Sequence, residues 1–339
     1  IERMFKNMLY EAETSLVGQT YLRDASREYA RILELVQRPA THTIGCEEVA
    51  DFRQDFPDYD PDGIADICTE IAIQDEPSTL PPPTRPTSQS LMPAPFAWIE
   101  IPRGEVKLIP DSTDKKESYL KSDEIFTVPV FSIAKYPTTN AQFTEFIKAG
   151  GYTERKWWTN AGWQRREKDK WTEPRYWQDS QWNGAGQPVV GVSWYEAIAF
   201  CHWLSDRTGE KIMLPTEAQW QYAAQGDDGR AYSWGNQWNL DLCNNNVDKK
   251  GIGKTTPVTQ YEGGGNSPFG VVDMAGNVWE WCLTTYKTGS YNINSTGVHI
   301  RRGGSWSAGY TAFFRCDYRD GSNPRDRDSN MGFRVSRFN

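Results

Sequence analysis

Thiols and imidazoles are the side chains here best equipped for catalysis, and their spacing argues against both of their usual uses. Cys46, Cys68, Cys201, Cys243, Cys282 and Cys316 are scattered, with no CxxC pair among them. That pattern suits free thiols in a reducing cytosol better than a disulfide framework or a zinc site. His42, His202 and His299 are equally isolated, without the paired spacing that a metal triad on a helix would show. His202, between Cys201 and Trp203 in a helical stretch, reads as structural. The sequence offers no Gly-rich phosphate loop and no nucleophile elbow. Asp58-Tyr59-Asp60-Pro61-Asp62-Gly63 imitates the opening of an EF-hand loop. Its bidentate Glu, however, falls one position late, at Glu70, and Pro57 blocks an entering helix. An acidic, Asx-rich turn is the better reading.

A different chemistry, recognition, is suggested near the C-terminus. Between Arg302-Gly303-Gly304-Ser305-Trp306 and Gly332-Phe333-Arg334-Val335, the stretch from Ser307 to Asn330 contains no Lys, Glu, Gln, Met or Trp, types used freely elsewhere. Every residue type present can be reached from an AAC asparagine codon by replacing one or both adenines, and the missing five cannot. This is the pattern left by adenine-directed rewriting of a binding surface. The plain alternative is a polar loop, since Ser, Asn, Asp and Gly dominate loops. Ala312, Phe313 and Phe314 fit sampled contacts better than they fit such a loop.

The elements that must position these residues can be read in outline. With 339 residues there is room for one large domain and a smaller module. A net charge of -8 argues against nucleic acid or an anionic membrane as partner, and no apolar run is long enough to span a bilayer. Ile1 opens into charged helical sequence rather than a signal peptide, consistent with a cytoplasmic protein. Leu22, Ala25, Tyr29, Ile32, Leu33 and Val36 recur at helical spacing within an N-terminal helical module, residues 1–79. The stretch 80–95 is rich in Pro and Ser and reads as a semi-rigid linker to a domain over 96–339. Phe96 to Ile101 and Phe126 to Ile133 have strand composition. Thr139 with Gln142, Ser193 with Glu196 and Thr216 with Gln219 form capping boxes that start helices. After Gly226 the chain is short strands and turns, so the fold class is α+β. The aromatic run Trp157-Trp158, Trp163, Trp171, Tyr176-Trp177 and Trp182 reads as scaffold that pins long loops, with a sugar-stacking platform as the alternative.

From Phe96 to Val335 the chain resembles the formylglycine-generating enzyme family, a sulfatase-modifying domain built on a C-type lectin fold. The resemblance rests on Lys135-Tyr136-Pro137-Thr138-Thr139-Asn140-Ala141-Gln142-Phe143 and on Gln187-Pro188-Val189-Val190-Gly191-Val192-Ser193-Trp194-Tyr195-Glu196-Ala197. Leu214-Pro215-Thr216-Glu217-Ala218-Gln219-Trp220, Asp273-Met274-Ala275-Gly276-Asn277-Val278-Trp279-Glu280-Trp281 and the terminal block extend it. The terminal block is most similar to the variable proteins of diversity-generating retroelements, which carry their mutable segment at this place.

The resemblance has chemical implications. Family members that oxidise a substrate cysteine hold copper with two thiolates, of which Cys316 matches the later and Thr311 replaces the earlier. The sulfoxide synthases of the family use iron on histidines, for which this chain has no matching set. A family calcium site implies ligation by Asp273, the Gly276 and Val278 carbonyls and Glu280. A second would use Asn244 and the Asn245 and Ile252 carbonyls, but Lys250 stands where its carboxylate belongs. The resulting expectation is a receptor-like, non-enzymatic protein that binds a protein or other macromolecular ligand through Tyr310, Thr311, Phe313, Phe314, Asp317, Asp320, Ser322, Asp326, Asp328 and Ser329. Arg302, Arg315, Arg319, Arg327 and Arg334 would support that surface from beneath, with Trp306, Gly332 and Phe333 as core. The alternatives are a formylglycine-generating-type oxidase and a non-diversified sensory domain.

Overall fold

The computed structural model describes residues 85–110 and 118–338, together with Glu28, Tyr29, Ile32, Glu48, Val49 and Phe52. The chain divides into two compact units, Ile1–Pro83 and Thr84–Asn339. In the first, Tyr29 and Ile32 are buried helical positions, as the amphipathic spacing predicts, and the Tyr29 and Phe52 rings lie 5.8 Å apart. The rest of the expected helix, the acidic turn at Asp58, His42, Cys46 and Cys68 lie outside the described residues.

The second unit starts earlier than the Pro/Ser composition suggests. Thr87 caps a short helix, Ser88–Leu91, Ser88 is completely buried, and Met92 joins the core. Prolines fix an extended backbone whose carbonyls stay open to partners. Gln142 Nε2 takes two of them, donating to Pro93 O (3.0 Å) and Pro95 O (2.7 Å). The described part of the expected linker is therefore docked.

Strand β1 (Trp98–Ile101) pairs antiparallel with β4 (Phe131–Ala134), which also pairs with the C-terminal β10 (Ser336–Phe338). β10 in turn pairs with β5 (Lys211–Met213), giving the order β1-β4-β10-β5. The expected strand from Phe126 to Ile133 is in fact two. β3 (Glu124–Val128) forms a hairpin with β2 (Gly104–Leu108), and β4 belongs to the other sheet. Pro129 sits between them; lacking an N–H, it cannot extend a ladder. A third sheet has the order β8-β7-β6-β9: β6 is Trp279–Thr285, β7 His299–Arg302, β8 Asp320–Ser322 and β9 Met331–Gly332.

All three capping boxes form. The backbone N–H groups of Thr139, Ser193 and Thr216 donate to Gln142 (3.0 Å), Glu196 (2.8 Å) and Gln219 (2.9 Å), opening the helices Asn140–Lys148, Trp194–Thr208 and Glu217–Gln225. A further helix, Asn160–Asp169, begins at Thr159, whose hydroxyl accepts the Gly162 N–H. It has no Glu or Gln at its third position, so the box signature misses it. Trp194–Thr208 is buried along most of its length and carries Trp194, Phe200, Trp203 and Leu204 into the main core with Phe143, Phe146 and Phe333. Trp157, Trp158, Trp171 and Trp182 are buried, so the aromatic run is scaffold and offers no open stacking platform.

Candidate functional site: the C-terminal face

Four arginines hold the segment that follows β7, and each works through a buried carboxylate. Arg302 donates through Nη2 to Glu217 and Gln221, and through Nη1 to the carbonyls of Cys316 and Tyr318 (3.0 Å each). Arg319 grips both Glu217 oxygens at 2.9 Å, and Tyr119 donates to the same carboxylate. Arg327 reaches Glu196 at 2.9 Å, and Arg334 binds Glu280 with Nε and Nη2, both at 2.7 Å. Glu217 is the first residue of its helix and Glu196 the third residue of another, so each also faces the positive end of a helix. Burial raises the pKa of Glu217, but the charges of Arg302 and Arg319 outweigh it and hold the carboxyl below its usual range. The backbone from Arg302 to Arg334 is thus stapled from beneath.

On this frame the expected contact residues separate into groups. Tyr310 is exposed, 72 % accessible, and its ring meets Phe313 edge-on at 5.7 Å. Thr311 and Phe313 are half-buried in the short helix Thr311–Phe314. Phe313 also lies 5.1 Å from Tyr318 and 6.2 Å from Trp279. Asp317 is chelated by Arg315 (2.7 and 2.5 Å), and Asp320 by Arg301 (3.1 and 2.7 Å). Ser322 sits opposite His299 in the β7–β8 ladder. Asp326 accepts the Asn323 N–H, Asp328 is exposed, and the Ser329 carbonyl accepts Trp306 Nε1 at 3.1 Å.

The structure corrects several expectations. Phe314 is completely buried, 5.0 Å from Trp238, so it is core and not a contact residue. A fully apolar ring gains more by filling that gap than by facing water. Trp306, expected in the core, is half-buried and packs on Trp182 at 5.1 Å, because its indole N–H is anchored at the segment's edge. Arg315 is 42 % exposed, on the surface rather than under it, where Asp317 is its partner. Sequence reasoning missed Trp279, Tyr318 and Arg301 as parts of this face. Arg301 stacks over Trp279 at 4.9 Å. The available signal was alternation in β7: Ile300 and Arg302 are buried, which turns Arg301 outward.

The thiol chemistry implied by the family does not fit this site. Cys316 is buried and its pKa is pushed up to about 12 by burial and the nearby Asp317. Such a sulfur is a protonated core atom at neutral pH, and Thr311 supplies no second thiolate. His299 is fully buried against Trp194, ring centroids 3.8 Å apart, and burial lowers its pKa to about 3. Among the described residues, no group of three or more His, Cys, Asp or Glu side chains is arranged to hold a metal.

The calcium set is made of other donors, and two features accommodate it. Asp273, Gly276 and Asn277 all have positive φ in one tight turn, and a Cβ on Gly276 would lie 2.3 Å from the Asn244 carbonyl oxygen. Within that turn Asp273 Oδ2 accepts from Asn277 at 2.8 Å, while Oδ1 is buried without a hydrogen-bond partner. Burial raises the Asp273 pKa to about 7, against the opposing hydrogen bond from Asn277 and the charge of Arg334. An orphaned buried carboxylate oxygen is what a hard cation relieves. In the second set Asn244 Oδ1 is likewise buried and unpartnered, but Ile252 is 50 % exposed and Lys250 brings a positive charge.

Comparison with known proteins matches this architecture. The sulfatase-modifying factor enzyme 1-like domain covers residues 87–338. The chain is 30% identical over 241 residues to hercynine oxygenase of Mycobacterium tuberculosis, covering 62% of this chain and 53% of that protein. It thus spans about half the length of that relative. It is 29% identical over 283 residues to the inactive C-alpha-formylglycine-generating enzyme 2 of Mus musculus, covering 71% of this chain and 85% of that one. The relatives thus include one named for an oxygenase activity and one named as inactive. Among solved structures, PvdO from Pseudomonas aeruginosa aligns with a TM-score of 0.54 at 24% identity, over 71% of this chain and 93% of that one. Treponema denticola variable protein 1 aligns with 0.53 at 21%, over 71% and 95%. With the matched domain spanning nearly the whole second unit, the chain belongs to the sulfatase-modifying factor enzyme 1-like family.

Proposed function

We propose that this protein is a receptor-like ligand binder whose C-terminal face is a diversified surface, in the manner of a diversity-generating retroelement variable protein. The observation that carries it is the contrast within one segment: Tyr310 and Asp328 are exposed, and Thr311 and Phe313 half-buried, on a backbone that buried Arg–Glu pairs hold fixed. A surface of Tyr, Phe, Ser and Asp offers contact area at low entropic cost with adaptable hydrogen bonds, as antibody loops do. A protein or other macromolecule is the ligand class that such spread side chains suit. Buried, protonated Cys316 supports a non-enzymatic role, and the unpaired thiols of Cys201, Cys243, Cys282 and Cys316 support a reducing compartment. No helix among the described residues is long and apolar enough to cross a membrane.

Sequencing of the locus in a growing population tests this. Codons for exposed positions such as Tyr310 and Asp328 should vary at adenine-derived sites, beside a template repeat and a reverse transcriptase gene, while the Arg302, Arg319 and Arg334 codons stay constant. An invariant segment with no such repeat would remove the reading. So would copper-dependent conversion of a Cys-x-Pro-x-Arg peptide to an aldehyde that is lost in Cys316→Ser.

The same proposal includes a structural calcium ion on Asp273, the Gly276 and Val278 carbonyls and Glu280. A ligand that binds only the folded state raises its stability by mass action. Thermal unfolding should therefore occur at a higher temperature in millimolar calcium than in chelator, and Asp273→Ala together with Glu280→Ala should abolish the difference. Equal midpoints for the unaltered protein in both solutions would remove the ion from this account.

A further inference from the structure

The loop before the Asp273–Asn277 turn carries an open hollow of about 600 Å³, lined by Trp234, Asn236, Gln237, Trp238, Asn239 and Asp241 among others. That is within the usual range for small-ligand sites, about 300–1,000 Å³. We propose that it binds a neutral saccharide. Two half-buried indoles are among the lining residues. Trp234 stacks on Tyr232 with centroids 5.4 Å apart and rings 7° from parallel, and Trp238 lies 5.8 Å from Trp234 at 55°. Trp234 Nε1 donates to the Gln237 carbonyl (2.9 Å), which closes the loop around the hollow. Tyr232 and Phe314 are both buried and pack on Trp238 at 5.3 and 5.0 Å, so its indole is anchored from behind.

The other lining residues supply the complement to such indoles. Asn236, Gln237, Asn239 and Asp241 are exposed, and Asp241 makes no side-chain hydrogen bond or ion pair among the described residues. Aromatic faces take the apolar C–H face of a pyranose, while carboxamides and a carboxylate take its vicinal hydroxyls. The charge pattern selects within ring-shaped ligands. No Lys or Arg lines the hollow and Asp241 adds a negative charge, so nucleotides and acidic sugars are disfavoured. An aromatic peptide side chain would leave the amides and the carboxylate without partners.

The test uses the full chain and maltose, cellobiose and N,N′-diacetylchitobiose as probes, with glucuronic acid as the anionic comparator. Saturation-transfer NMR should show transfer to ring protons of at least one neutral disaccharide. Asp241→Ala, an exposed change that leaves the packing alone, should weaken that binding about tenfold or more, because a hydrogen bond to a charged group is lost. Trp234→Leu, with folding checked by circular dichroism, should remove the transfer. Three results would each overturn the proposal: no transfer to any neutral probe, transfer unchanged in both variants, or tighter binding of glucuronic acid.

Discussion

Glu217→Ala should cost about 3–5 kcal/mol, the range for removing one partner of a buried ion pair and leaving the other charge unmatched. Here the loss is doubled in kind, since Arg302 and Arg319, both 1 % exposed, share that single carboxylate. Urea unfolding at neutral pH measures it directly, and a change under about 1 kcal/mol would show that the staple does not hold the segment. The pH dependence follows from the same group. Its pKa in the folded protein is depressed, so its stabilisation is present above the unfolded value of about 4.3 and is lost as pH falls through the folded value. Glu217→Gln should accordingly be less stable at pH 7 and show a shallower loss of stability on acidification than the parent.

The second large effect separates positions that look alike in sequence. Phe314→Ala should destabilise by about 3–5 kcal/mol, as for other fully buried aromatic rings, whereas Tyr310→Ala should stay within about 0.5 kcal/mol, as exposed substitutions do. Both lie in one stretch of the same unusual composition, yet Phe314 fills the space beside Trp238 and Tyr310 is 72 % accessible. Thermal or chemical denaturation of the two variants side by side decides it. Comparable losses would mean that the segment is packed throughout and not built to vary.

These cases show what the sequence makes legible. Capping boxes are local, four-residue geometry, so Thr139, Ser193 and Thr216 announced their helices directly. The ordered motifs gave the fold, because many weak matches in the right order leave few alternatives. Burial of a single ring is another matter. Phe313 and Phe314 are neighbours of the same type, and only the long-range approach of Trp238 decides which one is covered. Composition likewise misjudged residues 87–95, since Pro and Ser mark segments that cannot build their own core but can still be held by a neighbour such as Gln142. Likewise, nothing local marks Arg301 as lying over Trp279, because that contact is made across paired strands.

β10 is translated after the segment proposed to vary, yet it fills the gap between β4 and β5, and Arg337 within it pairs with Ile212 and Ser132. Any rewriting error that shifts the reading frame would replace this strand and the Arg334 that precedes it. The sheet would then lack an interior member, and the nascent product would present open strand edges of the kind that aggregate or are degraded. If the segment does vary as proposed, folding itself would proofread the locus: frame-preserving variants would fold with the sheet complete, and frame-shifted ones would be discarded before they could display anything.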